Sequence, residues 1–323
     1  MTIADTLFIM SRDLIAQRKG YFMTNYRKLF TYFLRDDQIH EDELMSQHTT
    51  FGIGGPADYF ITPETEKELQ QVVSITYQEG LPLFVLGGGA NLLVRDKGVR
   101  GVVIYTGGIR GIEKEGNLLH VASGMSTCSV AQAACRYGLS GMEFAAGIPG
   151  SIGGAVYMNA GAYDGEISQI VESVISCNQK GELVKRNNEN ICYRYRHSIF
   201  MENQEVILSI VLKLVPGVAK DIKAQMDEFN HRRRTKQPLE KKSAGSTFKR
   251  PEGHFVGQMI EELELKGFSV GDAQVSEKHA GFLINNGKAS CADMLQLISE
   301  IQRRVREKYH VELNPEIQII GEE

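Results

Sequence analysis

The residue types most able to do chemistry in this 323-residue chain are its glycines and their placement. At 83–94 the sequence LFVLGGGANLLV runs an apolar, strand-like segment into Gly87, Gly88 and Gly89, then Ala90 and Asn91, then a second apolar run. Three consecutive residues without Cβ let backbone N–H groups converge on an anion and approach it closely. A diphosphate is the natural guest. No Lys-Ser/Thr follows the glycines, so this is not a Walker A loop, and Leu92 stands where a G-x-G-x-x-G motif needs its third glycine. The alternative is a glycine-rich hairpin turn.

A second tract, 145–166, places Gly147, Gly150, Gly153, Gly154, Gly161 and Gly165 among small residues that include Pro149, Ser151 and Ala155. Such a backbone can lie against a flat or extended ligand. Ile148, Ile152, Val156 and Met158 are apolar and call for burial, which argues against a flexible linker. A third tract, HTTFGIGGPADYF at 48–60, contains Gly54. The chain holds 33 glycines, above the typical ~7%, and these loops are where the excess gathers.

The run HRRRTKQPLEKKSAGSTFKR at 231–250 sets four arginines and four lysines against one acid, Glu240, on a chain of net charge −4. One reading is an anion funnel for phosphates; the other is a solvated helix end and loop. The overall acidic balance does not suggest a nucleic-acid binder. Cysteines 128, 135, 177, 192 and 291 form no C-x-x-C pair, so free thiols in a reducing cytoplasm are expected, with no metal site. No stretch approaches the ~20 apolar residues that span a bilayer, and the N-terminus lacks a secretory cleavage pattern. A cytoplasmic protein is expected, with no membrane or nucleic-acid partner, as a monomer or weak homo-oligomer.

The elements that must position these residues alternate. Segments 83–86, 101–105, 118–122, 172–177 and 206–214 read as strands, and 66–77 and 126–137 as helices. Beyond Pro216-Gly217, a plausible boundary, 220–234 reads as a helix ending in the basic run. Segment 290–309 is amphipathic, with Met294, Ile298, Ile301 and Val305 on one face and a capping box from Ser290 to Asp293. Residues 1–23 read either as an appendage upstream of a working start at Met23 or as an ordinary N-terminal helix. An amphipathic stretch follows at 25–36.

Taken together and in order, HTTFGIGGPAD, LGGGANLLV, EFAAGIPGSIGGAVYMNAGAY, YRHSIF, SAGSTFKRP and NPEIQIIG resemble the UDP-N-acetylenolpyruvoylglucosamine reductase family over about residues 46–321. The resemblance implies an α+β chain with an FAD-binding fold of the vanillyl-alcohol-oxidase (PCMH) type and a C-terminal α+β substrate domain. It implies non-covalent FAD, NADPH as co-substrate, and reduction of UDP-N-acetylglucosamine enolpyruvate to UDP-N-acetylmuramate for peptidoglycan. The expected organisation is a lead-in at 1–46, the FAD-binding domain at 47–216, and the substrate domain at 217–323 with its tail returning to the active site. Residues 201–230 leave no room for the tyrosine-bearing loop of the longer family members, so the chain resembles the shorter kind.

The reaction the resemblance implies adds hydride to the terminal carbon of an enol ether; charge then spreads from the adjacent carbon into a carboxylate. The protein must stabilise that charge and protonate the carbon. By motif, Ser246 matches the family's proton donor, Arg196 its catalytic arginine in preference to Arg194, and Glu316 its active-site glutamate in preference to Glu312. Glu316 is expected to stay protonated enough to hydrogen-bond the anion. Tyr195, Lys236, Arg250 and His279 are candidate substrate contacts. Gly54, Gly87, Gly88, Gly89, Ala90, Asn91, Gly147, Pro149, Gly150, Ser151, Gly153 and Ala155 are candidate FAD contacts. The rivals are an FAD-dependent sugar or lactone oxidase, which has no need of that catalytic trio, and a nucleotide-binding module without catalysis.

Overall fold

The computed structural model describes residues 26–323; the two readings of residues 1–23 lie outside the described residues. The amphipathic stretch that follows forms a single helical turn, Arg27–Phe30, and not a full helix. Aromatic and β-branched residues (Phe30, Thr31, Tyr32, Phe33) resist helix extension, and Arg27 is spent on the carbonyl of Ile39 at 2.9 Å.

A four-stranded sheet runs in the order Ile39–Leu44, Pro56–Ile61, Val99–Tyr105, Leu83–Leu86. Its first pair is antiparallel and the others parallel. The crossover helix Glu66–Gln78 begins where the Thr65 hydroxyl accepts from the Glu68 N–H and Glu68 bonds back to the Thr65 N–H. Its buried Leu69, Val72 and Val73 pack on the sheet. Leu83–Leu86 therefore delivers the chain onto Gly87–Gly89 at the carboxyl end of parallel strands, the usual position of a ligand crevice in such sheets.

The second sheet is antiparallel, in the order Leu183–Asn187, Val171–Cys177, Val206–Lys213, Leu118–Ala122, Ile112–Glu115. The helices Thr127–Arg136 and Ile152–Tyr157 bury their small apolar residues against it. Val206–Lys213 passes through Val215–Pro216 straight into the helix Ala219–Lys236.

That helix does not open a new core. Its Ile222 and Met226 are buried with Leu139, Phe144 and Leu214, so the core changes after this helix and not at Pro216-Gly217. The boundary signal was turn chemistry alone, whereas packing is set by the apolar face of the helix that follows.

The C-terminal core gathers the three-stranded sheet Ser269–Val270, Ala273–Val275, Leu283–Asn285 with the helices Val256–Glu262 and Cys291–Tyr309. On the last helix Met294, Ile298, Ile301 and Val305 are all buried. The Ser290 hydroxyl accepts the Asp293 N–H at 3.0 Å and Asp293 accepts the Ser290 N–H at 2.9 Å, completing the capping box. After His310, in the left-handed region, the tail returns across the molecule. Gln318–Ile320 pairs parallel with Leu92–Val94, directly beyond the three glycines. The architecture is α+β.

Candidate active site

The three glycine tracts meet where their side chains are missing. A Cβ on Gly88 would stand 2.4 Å from the Gly150 Cα, one on Gly87 2.3 Å from the Ser151 Oγ, and one on Gly89 2.0 Å from the His48 carbonyl. The glycines thus let three backbones touch. Among the described residues, none of the N–H groups of Gly88, Gly89, Ala90, Asn91, Gly150 and Ser151 donates to a protein acceptor. These donors border an open cleft lined by residues 87–91 and by Gly147, Pro149, Gly150, Ser151, Gly153 and Ala155. Unpaired amides around a bare backbone suit a diphosphate, and FAD fits these residues. Gly54 does not border the cleft: it is half-buried, and a Cβ there would lie 2.8 Å from the Val94 Cβ.

Arg196, Ser246 and Glu316 line the same cleft. Arg196 sits in a tight turn closed by reciprocal N–H···O bonds between Arg194 and His197, each 3.1 Å. Its φ of +53° is a strained choice for a side chain this large. The guanidinium is held by Glu316 (Nε to Oε1, 2.7 Å) and by the carbonyls of Asn159 (3.4 Å) and Gly161 (3.2 Å). The pair is mostly buried, with Arg196 20% and Glu316 12% exposed. Glu316 is therefore held as the ion-pair partner of Arg196. Arg194 turns outward to exposed Glu202.

Ser246 belongs to a strand-like segment gripped on both sides. The Thr247 N–H donates to the Gly281 carbonyl at 3.0 Å, and the Thr247 carbonyl accepts the Glu316 N–H at 2.8 Å. Asn91 ties the same tail to the glycine loop, its Nδ2 donating to the Glu316 carbonyl at 3.1 Å. The trio is thus joined: Arg196 to Glu316 by side chains, Glu316 to the residue after Ser246 by backbone. Ser246 is exposed to the cleft, and among the described residues its hydroxyl has no protein partner.

The four candidate substrate contacts fall outside the cleft wall. Tyr195 stands at the rim, its hydroxyl 3.4 Å from the Glu316 Oε2, and burial followed by the Glu316 charge pushes its phenol up. Lys236 ends its helix exposed, and Gln237 and Leu239 do the lining there. Arg250 stacks on Phe255 at 4.0 Å. His279 is engaged within its own loop: its Nδ1 accepts the Gly281 N–H at 3.1 Å, its ring meets Phe282 edge-on, and burial lowers its pKa. The basic run is not one funnel, since Arg232 pairs with Glu228, Lys241 bonds Asn286, and only Arg233 turns into the cleft wall.

Two residues escaped the sequence reading. Asn159, at φ +46°, grips the Arg196 turn from both ends: its Nδ2 donates to the Arg194 carbonyl at 3.1 Å and its own carbonyl receives Arg196. An asparagine amid glycines was the available signal, since Asn tolerates this conformation. Arg233 was hidden among seven other cations.

The match to known proteins covers both halves. Residues 57–187 match the model of an FAD binding domain, and residues 237–320 match the UDP-N-acetylenolpyruvoylglucosamine reductase, C-terminal domain. The reductase of Clostridium novyi is 48% identical over 290 residues, 90% of this chain and 94% of that one. The reductase of Syntrophomonas wolfei is 46% identical over 92% of this chain and all of its own length. The crystal structure of the Thermus caldophilus reductase superposes with a TM-score of 0.76 at 36% identity, covering 87% of this chain and 98% of that one. With both halves, some nine-tenths of the chain and the fold in agreement, the chain belongs to the UDP-N-acetylenolpyruvoylglucosamine reductase family, an FAD-dependent oxidoreductase family of peptidoglycan precursor synthesis.

Proposed function

We propose that this chain reduces UDP-N-acetylglucosamine enolpyruvate to UDP-N-acetylmuramate, with NADPH as reductant, and that Ser246, Arg196 and Glu316 carry the protein's part of the chemistry. When bound, FAD supplies the hydride that adds to the terminal carbon of the enol ether. Arg196 presents a fixed guanidinium to the substrate carboxylate as charge enters it, its fork suiting a carboxylate better than a lysine would. Glu316 holds that guanidinium in place and restrains its charge in a site where both are mostly buried. The Ser246 Oγ, unbonded within the protein, donates its proton to the adjacent carbon and regains one through the open cleft. The observation that carries this reading is the physical link from Arg196 through Glu316 to the backbone beside Ser246. An oxidase of the same fold would have no use for that assembly.

The FAD is held by the glycine tracts at 87–91 and 147–155, and the nucleotide sugar lies toward the C-terminal half. Among the described residues no helix is long and apolar enough to cross a membrane. A cytoplasmic setting, without nucleic-acid or membrane partners, and a monomeric or weakly associating chain complete the reading.

The test separates the two half-reactions by stopped flow. In Ser246→Ala, flavin reduction by NADPH stays fast, while reoxidation by the enolpyruvyl substrate falls on the order of 10²-fold or more. Reoxidation at the wild-type rate would remove Ser246 from the mechanism.

A further inference from the structure

The helix Ile152–Tyr157 stops in a Schellman turn. The Ala160 N–H reaches the Ala155 carbonyl at 2.8 Å, and the Asn159 N–H reaches the Val156 carbonyl at 3.3 Å. Such a turn needs one left-handed residue, and it falls on Asn159, at φ +46°. Glycine is the usual choice there, because it adopts that conformation without a Cβ in the way. The tract 145–166 uses glycine six times, yet not at this position. An asparagine here keeps a side chain at some conformational cost, so the side chain must do what a hydrogen atom cannot.

That side chain is 1% exposed, and both of its polar atoms are engaged. Its Oδ1 accepts the Ser168 N–H at 3.0 Å, and its Nδ2 donates to the Arg194 carbonyl at 3.1 Å. The second bond grips the turn that presents Arg196. The same segment meets that turn at alternate carbonyls. Tyr157 accepts the Ser198 hydroxyl, Asn159 accepts the Arg196 Nη1 at 3.4 Å, and Gly161 accepts the Arg196 Nη2 at 3.2 Å. Glu316 takes the remaining nitrogen, Nε. The left-handed Asn159 therefore aims two of the three acceptors, while its amide ties down the start of the turn. Arg196, at φ +53°, sits in a conformation that its own backbone does not favour. Its placement depends on such outside grips.

We propose that Asn159 is a positioning residue for the reduction, setting the Arg196 guanidinium against the substrate carboxylate through the bond from its amide to the Arg194 carbonyl. The inference rests on the reading that Arg196 meets that carboxylate. A charge-stabilising group displaced by a fraction of an ångström loses much of its effect on the transition state.

The experiment follows both half-reactions by stopped flow in N159G and N159D, each with Arg196 intact and in an R196K background. Thermal unfolding of each holoprotein checks the fold. N159G suits the left-handed backbone and deletes only the side chain; N159D keeps the shape and the acceptor for Ser168 but replaces the donor that faces Arg194. Flavin reduction by NADPH stays within about twofold of wild type in both, while the limiting rate of reoxidation by the enolpyruvyl substrate falls roughly 10- to 100-fold. The half-saturating substrate concentration moves less than about threefold, since the charge Arg196 meets grows as the reaction proceeds. In R196K, whose lysine cannot reach both carbonyls, the same substitutions cost less than about threefold more. A folded N159G with wild-type reoxidation overturns the proposal. So does an equal loss in both half-reactions, or a full loss recurring in R196K, since Asn159 would then support the fold and not Arg196. Should N159G fail to fold, N159D decides by the same criteria. A wild-type flavin that the enolpyruvyl substrate leaves reduced would overturn the functional reading and this inference with it, whereas normal wild-type reoxidation with an unaffected variant overturns this inference alone.

Discussion

Replacing Gly88 by alanine tests whether loop-to-loop contact makes the cofactor site. The added Cβ would stand 2.4 Å from the Gly150 Cα, 2.8 Å from the Gly150 carbonyl carbon and 3.0 Å from the Ser151 nitrogen. All three atoms are backbone, so no rotamer change relieves the clash. Ordinary contact begins near 3.4 Å, and the two loops must part by about 1 Å. Over-packing of this kind costs ~1–3 kcal/mol, a factor of roughly 5 to 150 in an equilibrium constant. Where the cost appears is also determined. The free protein relaxes by letting the loops separate, whereas FAD needs the amides of both loops together. Most of the penalty therefore falls on the affinity of apoprotein for FAD, measured by quenching of flavin fluorescence, and a smaller part on the melting temperature of the apoprotein. Gly111→Ala is the control: nothing lies within 4 Å of its Cβ and its φ is ordinary, so it changes either quantity by less than about 0.5 kcal/mol. A Gly88→Ala protein with wild-type FAD affinity and melting temperature would refute the claim that the glycines exist to let these backbones touch.

Arg196→Lys keeps the charge but loses the fork shared among Glu316, Asn159 and Gly161; turnover falls on the order of 10²-fold with the flavin spectrum unchanged, and an altered spectrum would mean the arginine supports the cofactor instead. His279, whose pKa burial lowers from 6.5, takes up its proton more readily unfolded than folded, so stability is retained above pH 6.5 and lost as pH falls below it. Urea midpoints at pH 7.5 and 5.5 measure this, and His279→Gln reduces the difference. Burial pushes the Cys177 and Cys291 thiols up to about 11, while Cys192 is exposed; a thiol-reactive dye at pH 8 labels Cys192 well before those two, as peptide mapping will read.

The parts legible in the sequence were those governed by local rules. The helix at 290–309 declared itself through its periodic apolar face and its capping pair, because burial on one face requires that spacing. The glycine tracts announced close backbone approach, but not what approaches. At Gly54 the partner is Val94 of the same core; at Gly88 it is another glycine loop. A missing Cβ is the same signal in both cases, and only tertiary placement separates them. The candidate contacts at Lys236, Arg250 and His279 stand off the cleft lining for a related reason. Each is polar and each belongs to a motif, yet side-chain direction is set by the fold: Arg250 finds Phe255 and His279 finds the Gly281 amide. Arg233 was illegible for the opposite reason, since composition cannot tell which cation of a basic run points inward.

The returning tail explains why the Glu316 carboxylate and the glycine loop at 87–91 cannot be considered apart. Glu316 comes from the C-terminal core, but its position is set by the parallel register of Gln318 on Leu92 and Ile320 on Val94. The Gln318 N–H bonds the Asn91 carbonyl at 2.9 Å, while the Asn91 side chain bonds the Glu316 carbonyl. A slip of one residue would turn every tail side chain to the opposite face and take Glu316 away from Arg196. Asn91 belongs to the same turn as Gly88 and Gly89. Whatever orders that turn also orders the tail and hence the Arg196–Glu316 pair. The Arg196–Glu316 pair is therefore a joint product of the glycine loop, the returning tail and the Ser246 segment, and it forms only while these are held in register.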